Sequence, residues 1–108
     1  MILKLAYNSQ TSSFYEELKN LVDKYSLIEL LAYDEDSYST RKEAFKLKAY
    51  YGTRQVPFMV LLKDNNEVVE VFYSENNSCR LDYLKDVLNH CLIYNHEKYT
   101  GLDRSEET

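Results

Sequence analysis

The chain has 108 residues, of which 44% are hydrophobic and 29% are charged. This length and composition predict one globular domain with a single core, and no apolar run approaches the ~18 residues of a membrane-spanning helix. The net charge of −5, with no basic stripe, argues against nucleic acid as the partner, because such binding depends on Lys and Arg neutralising phosphates.

The N-terminal third of the chain has the pattern of a strand, a helix and a second strand. It begins without the cationic and long apolar regions of a secretory signal, so we expect a cytoplasmic protein. Residues 2–7 alternate as a strand does, and residues 27–33 form a nearly continuous apolar run, typical of a strand covered on both faces. Between them, apolar residues at helical spacing predict a helix with one buried face: Phe14, Leu18, Leu21, Val22 and Tyr25.

A second helix and a hairpin are predicted next. Thr40 and Glu43 match the T-x-x-E pattern of a capping box, which predicts a helix that begins there and ends near Tyr51. Residues 58–63 and 67–73 are strand-like runs joined by a short polar turn. We therefore expect these two strands to pair as an antiparallel hairpin.

The last predicted element is a helix that begins after Ser78, whose hydroxyl is suited to an N-cap. Its apolar face repeats at helical spacing as far as Leu92. The segment 93–108 is polar and lacks apolar periodicity, so we expect a flexible C-terminal tail. The folded domain is therefore predicted to span residues 1–92.

One segment of the chain resembles a known family. In residues 49–70, AYYGTRQVPFMVLLKDNNEVVE, a helix ends at Tyr-Gly, an arginine and a short loop follow, and a Val-Pro pair leads into an apolar strand, a charged turn and a second strand. This segment is similar to part of the thioredoxin-like superfamily, and residues 79–92 resemble that family's final helix. The resemblance implies an α/β thioredoxin fold, with a four-stranded mixed sheet in the order βαβ-α-ββ-α and helices on both faces.

The only proline of the chain, Pro57, lies at the head of the apolar strand. A proline cannot donate a hydrogen bond to a sheet, so it belongs at the first residue of a strand, at an edge or at a bulge. The resemblance implies that Pro57 is the family's cis-proline, beside the redox site, and that the backbone of Val56 pairs with an extended peptide or with glutathione. We accordingly predict a partner-binding groove formed by Tyr7, Ser9, Ser12, Val56, Pro57 and Phe58.

The family's redox cysteines are absent from the junction between the first strand and the first helix. Residues 8–13 read NSQTSS and contain no thiol, whereas the family's dithiol chemistry depends on a thiolate at this helix N-terminus. Two interpretations of this stretch are open: an N-cap with polar loop residues, or a polar, anion-binding helix N-terminus beside Val56. Under either interpretation we expect a redox-inactive junction.

The two cysteines are too far apart to form a disulfide. Cys79 and Cys91 lie in one predicted helix, which rises ~1.5 Å per residue, whereas bridged Cα atoms lie within ~7 Å of each other. We expect Cys91 to be a core residue and Cys79 to be an incidental thiol. Because His90, Cys91 and His96 do not match the ligand spacing of a structural zinc site, no metal and no other cofactor is expected.

Two functions follow from the resemblance. The first, which we favour, is a non-catalytic thioredoxin-like protein that binds a protein or an extended peptide through the groove at Pro57, since strand-like pairing needs no thiol. We expect neither nucleic acid nor a membrane as its partner. The alternative is a thiol- or glutathione-dependent redox enzyme, in which Cys79 replaces the lost cysteines or a hydroxyl of residues 8–13 activates glutathione. The sequence identifies no base near Cys79 that would activate it.

Overall fold

The computed structural model describes the backbone of residues 1–99 and the side chains of residues 1–91, which form an α/β architecture with a four-stranded open sheet and three α-helices. A short 3₁₀ helix, Ser9–Thr11, leads into the first α-helix. The elements in chain order are β1 (Ile2–Tyr7), α1 (Ser12–Val22), β2 (Glu29–Asp34), α2 (Arg41–Tyr50), β3 (Phe58–Leu62), β4 (Val68–Phe72) and α3 (Leu81–Tyr99).

The sheet is mixed and has the strand order β2-β1-β3-β4. β1 runs parallel to β2, with Leu3 opposite Leu30, and antiparallel to β3, with Leu5 opposite Met59. β3 and β4 form the predicted antiparallel hairpin, and Asn66 takes the left-handed conformation (φ 71°) in the turn between them. The predicted mixed sheet and the predicted hairpin are therefore confirmed.

One face of the sheet packs against α1 and α3. Because side chains alternate across a strand, Leu3 and Leu5 of β1 both point to this face. Each fully buried large apolar side chain contributes about 1.5–3 kcal/mol, so this larger core is the main source of stability. It is formed by Leu3, Leu5, Leu18, Val22, Ile28, Met59, Leu61, Phe72, Leu84 and Leu88.

In the described part of the chain, α2 alone covers the other face of the sheet. Ala6 of β1, Phe58 of β3 and Ala44 of α2 are fully buried and form a smaller core. Half-buried side chains surround these three residues: Tyr33, Leu47, Tyr51, Val56, Val71 and Tyr73. Helices therefore lie on both faces, but one helix is narrower than four strands, so this second face is less completely covered.

Two predicted helix caps are not formed, although the helices are present. Thr40 precedes α2, but its hydroxyl donates to the carbonyl of Asp34 (2.8 Å) and accepts from the N–H of the same residue (3.0 Å). α3 begins at Leu81, and the Ser78 hydroxyl instead accepts from the backbone N–H of Tyr73 (2.9 Å). Both hydroxyls thus connect the start of a helix to the end of the preceding strand.

The last helix is longer than predicted. α3 continues beyond Leu92 to Tyr99. Residues 100–108 of the predicted flexible tail lie outside the described residues, and so does the side chain of His96. No helix in the described part of the chain is both long enough and apolar enough to cross a membrane.

Candidate functional site

The residues predicted to form the groove lie where β1 ends and β3 begins. Ala6 pairs with Phe58 in the antiparallel register, so Tyr7 and Pro57 are the next positions beyond this pair. The peptide bond between Val56 and Pro57 is cis. The β1–α1 junction and the loop before β3 therefore meet at one edge of the sheet.

The backbone of Val56 is the unpaired part of this loop. Neither its N–H nor its carbonyl forms a hydrogen bond with the residues that the structure describes. The neighbouring residues, by contrast, each have a backbone group bonded to a side chain: Gln55 through its N–H, and Arg54 and Pro57 through their carbonyls. Since unpaired backbone groups are satisfied by water or by a ligand, Val56 offers one donor and one acceptor to an extended segment.

The segment that follows β4 holds this loop in place. The Thr53 hydroxyl donates to Oε2 of Glu75 (2.7 Å), and the Tyr73 hydroxyl donates to the carbonyl of Tyr51 (2.9 Å). Ser74 also donates a hydrogen bond from its hydroxyl to the proline carbonyl. The loop that presents Val56 is therefore anchored on both sides of the unpaired residue.

The structure corrects the predicted role of Phe58. Its side chain is 0% exposed, and its ring packs against Tyr51 (centroids 5.7 Å apart) and Tyr73 (5.3 Å) in the smaller core. All five residues of β3 are buried, so the sequence has no polar alternation to show which side chains face which way. Phe58 supports the loop from within the core and does not line the groove.

Tyr7 and Val56 pack on opposite faces of the sheet. Tyr7 is half-buried against the larger core and stacks on Tyr15 of α1, with ring centroids 4.7 Å apart and an interplanar angle of 10°. Burial and the nearby Asp34 raise the pKa of Tyr7, so its hydroxyl stays neutral at physiological pH. Val56 packs against the smaller core. The predicted residues thus meet at the edge of the sheet and do not form one enclosed pocket.

Residues 8–13 form a helix cap. Oδ1 of Asn8 accepts from the backbone N–H of Thr11 (3.0 Å), and Oγ1 of Thr11 accepts from the backbone N–H of Asn8 (2.9 Å). This reciprocal pattern is a capping box, which satisfies the free N–H groups at a helix start. The structure therefore favours the N-cap interpretation of this stretch over the anion-binding one.

A carboxylate of the chain itself occupies the donors beside this cap. Ser9 donates to Oδ2 of Asp36 from its backbone N–H (2.8 Å) and from its hydroxyl (2.7 Å). The backbone hydrogen bond first, and the hydroxyl second, hold the pKa of Asp36 below its ordinary value. The Ser12 hydroxyl donates to the carbonyl of Ser9 (3.2 Å). An external anion would have to displace Asp36 to reach these donors.

We expect Asp36→Asn to make the stability of the fold less sensitive to acid. A carboxyl with a lowered folded-state pKa stabilises the fold above its unfolded-state pKa of ~3.9, and this contribution is lost as pH falls through the folded-state value. Asp36 is fully exposed, so the change is small. Urea midpoints from about pH 2 to about pH 7 measure it. The matched control is Asp23→Asn, and equal pH profiles for the two variants would contradict the assignment.

A buried ion pair that the sequence reasoning missed joins three segments of the site. Lys48 of α2 is only 4% exposed, and its Nζ bonds to the carboxylate of Glu35, the residue that follows β2. The same Nζ donates to the carbonyl of Arg54 (3.2 Å), while Asn8 donates from Nδ2 to the second oxygen of Glu35 (3.4 Å). The pair therefore connects the β1–α1 junction, the end of β2 and the loop before Pro57.

A cavity of about 670 Å³ opens beside this ion pair, and we refer to it as the Lys48 cavity. The guanidinium of Arg54 forms no salt bridge with any carboxylate that the structure describes. Arg54 lies two positions before Val56, so the cavity adjoins the unpaired backbone. Its lining residues are Glu35, Phe45, Lys48, Ala49, Gly52, Thr53 and Arg54.

Neither thiol belongs to the β1–α1 junction. Cys79 follows β4 and packs against the larger core, where burial raises the pKa of its thiol to about 12. Such a thiol is protonated at neutral pH and is a poor nucleophile. Cys91 is free and half-buried, and burial also raises its pKa. Within residues 1–91, no three His, Cys, Asp or Glu side chains are grouped as metal ligands would be.

Comparisons with known proteins do not assign the chain to a family. No family model, no curated protein and no solved structure matches it. A functional assignment therefore rests on the contacts and the chemistry of the chain itself.

Proposed function

We propose that the chain is a non-catalytic thioredoxin-like protein that binds an extended segment of a partner protein at Val56. The main support is that the N–H and the carbonyl of Val56 have no hydrogen-bond partner among the described residues. In strand-like pairing, a peptide satisfies such groups with its own backbone, and its alternate side chains enter adjacent pockets. This mode of binding needs no thiol, in keeping with the thiol-free cap at residues 8–13.

The connectivity of the sheet supports the thioredoxin-like part of the proposal. A central β1 pairs parallel with β2 and antiparallel with β3, and the β3–β4 hairpin completes the sheet. The proline loop directly precedes β3, at the edge where the β1–α1 junction lies. This arrangement is compatible with the thioredoxin fold that the segment 49–70 resembles.

The Lys48 cavity suggests which peptide side chains the site selects. It borders the loop two positions before Val56, and its lining includes Arg54, whose guanidinium forms no salt bridge with the described residues. Alternate residues of an extended peptide lie ~6.6–6.8 Å apart, which is the scale of the two-residue separation between Arg54 and Val56. We therefore propose a partner segment with an apolar side chain for the cavity and an acidic side chain for Arg54.

Peptides selected from a randomised library under reducing conditions provide the test. We expect N-methylation of one or two peptide positions to weaken binding roughly tenfold, because each methyl group removes a backbone N–H that pairs with the protein. Fluorescence anisotropy with labelled peptides measures the affinity. We also expect Val56→Asp to abolish binding.

The matched control for this test is Val68→Asp, which places the same charge on β4 at a valine that is 49% exposed. We expect this variant to bind the selected peptides as the wild type does. Binding that survives Val56→Asp but is lost in Val68→Asp would place the interface on the outer strand β4 instead.

No specific observation favours the thiol-dependent alternative. Its chemistry requires a thiolate, and Cys79 is held in the protonated form by burial. The hydroxyls of Ser9 and Ser12 are already bonded to Asp36 and to a backbone carbonyl. We therefore propose binding alone.

A further inference from the structure

A second groove lies on the α2 face of the sheet, apart from the Val56 loop. Its volume is about 330 Å³, and none of its lining residues belongs to the Lys48 cavity. We refer to it as the tyrosine groove, since three tyrosines form part of its wall. It is lined by Lys4, Tyr33, Glu43, Lys46, Leu47, Tyr50, Tyr51, Val60, Leu62 and Asn66.

The tyrosine groove exists because one helix covers this face. The buried contact of α2 with the sheet is at Ala6 and Phe58. Lys4 lies two residues before Ala6 on the central strand, so its side chain points to the same face, opposite Val60 of β3. A lysine thus forms part of the groove floor, in the middle of the sheet.

The cations of the groove have no anionic partner in the described structure. The ammonium groups of Lys4 and Lys46 form no salt bridge and no hydrogen bond with residues 1–91. Lys4 and Lys46 give the groove lining two positive charges, and Glu43 gives it one negative charge. The lining therefore has a formal charge of +1. A half-buried lysine on a central strand loses hydration, and an anion in the groove would compensate for that loss.

The wall of the groove is aromatic and offers free hydroxyl groups. Tyr33 and Tyr51 are half-buried, and their hydroxyls form no hydrogen bond with the described residues. Burial raises the pKa of both groups, so they remain donors at neutral pH. Tyr50 packs edge-on against Tyr51, with ring centroids 4.8 Å apart. Aromatic rings favour such offset or edge-on contacts with a further ring.

We propose that the tyrosine groove binds a small aromatic monocarboxylate, whose ring packs among the tyrosines and whose carboxylate pairs with Lys4 and Lys46. The volume is at the lower end of the ~300–1,000 Å³ typical of ligand sites, so a compound with one ring is the appropriate size. The single excess positive charge matches one carboxylate. This proposal is independent of the binding function at Val56.

Three probes of similar size test the proposal by NMR titration of the full chain. Phenylacetate has both the ring and the charge, phenylacetamide lacks the charge, and cyclohexylacetate lacks the aromatic ring. We expect phenylacetate to shift the amide signals of residues around the groove, and the other two to bind roughly tenfold more weakly. Added salt should weaken the binding of phenylacetate, because the interaction is electrostatic.

Lysine variants test the same carboxylate–lysine contact from the side of the protein. We expect Lys4→Met to weaken phenylacetate binding roughly tenfold, while Lys42→Met, at an exposed lysine of α2 outside the groove, leaves it unchanged. Lys46→Met, on the exposed part of the same helix, replaces Lys4→Met if that variant does not fold. The absence of phenylacetate binding, equal affinity for the acid and the amide, or shifts confined to residues outside the groove would each overturn the proposal.

Discussion

Phe58→Ala is expected to lower the free energy of unfolding by about 3–5 kcal/mol, as for other large aromatic side chains removed from a core. The ring is fully buried and packs between Tyr51 and Tyr73. Because α2 is the only helix on this face among the residues that the structure describes, no second described element is available to fill the space. Since small domains have a total stability of ~5–15 kcal/mol, urea denaturation should show a much earlier transition.

The matched control is Phe45→Ala. Phe45 is 50% exposed on α2, and its ring lies 4.9 Å from Nζ of Lys48. An exposed cation–π contact of this kind is worth about 0.5–1 kcal/mol, so we expect a loss of that size. Similar losses of unfolding free energy for the two variants would show that the smaller core contributes less to stability than the burial of Phe58 indicates.

Lys48→Met is expected to destabilise the fold by about 3–5 kcal/mol, because it leaves the carboxylate of Glu35 without its buried partner. The variant also removes the hydrogen bond to the carbonyl of Arg54, which holds the loop before Val56. Chemical denaturation measures the stability. Adding Glu35→Gln, which removes the charge but keeps an oxygen for Asn8, should recover part of the loss.

The coupling energy is the stability loss of the double variant minus the sum of the losses of Lys48→Met and Glu35→Gln alone. We expect a magnitude of about 1–3 kcal/mol. The exposed Lys63–Glu67 pair, with an N–O distance of 3.4 Å, is the matched control. Lys63→Met should change the stability by no more than about 0.5 kcal/mol, as is usual for solvent-screened pairs. Additive losses at residues 35 and 48 would show that the two side chains act separately.

The order of the elements was predictable because it depends on local patterns. The apolar period of 3.6 that includes Leu18 and Val22 marked α1, and the polar turn between two apolar runs marked the hairpin. The caps were less predictable. The hydroxyls of Thr40 and Ser78 bond to residues at the ends of the preceding strands, and the sequence does not show that these residues lie close to them. Hydroxyl groups have several backbone partners to choose from, and tertiary contacts decide among them.

The sequence reasoning selected the loop at Val56 and Pro57 as the candidate site, but it did not predict the side-chain contacts that hold this loop in place. Val56 and Pro57 were selected because residues 49–70 resemble a thioredoxin-like segment, whereas the ion pair depends on a contact between separate elements. A signal for Lys48 was nevertheless present. It lies four residues after Ala44 and so belongs to the buried stripe of α2, where a lysine requires an anionic partner.

The central position of β1 has a consequence for the order of assembly during synthesis. β1 is made well before β3, with which Ile2 pairs at Leu62 and Ala6 pairs at Phe58, so its antiparallel neighbour becomes available much later. At ~5–20 residues per second, the ribosome takes roughly 2.5–10 s to reach β3 after completing β1. In that interval only the parallel neighbour β2 is available, and parallel pairing is slightly less stable per residue. The central strand β1 therefore gains its second neighbouring strand only after the hairpin has been synthesised.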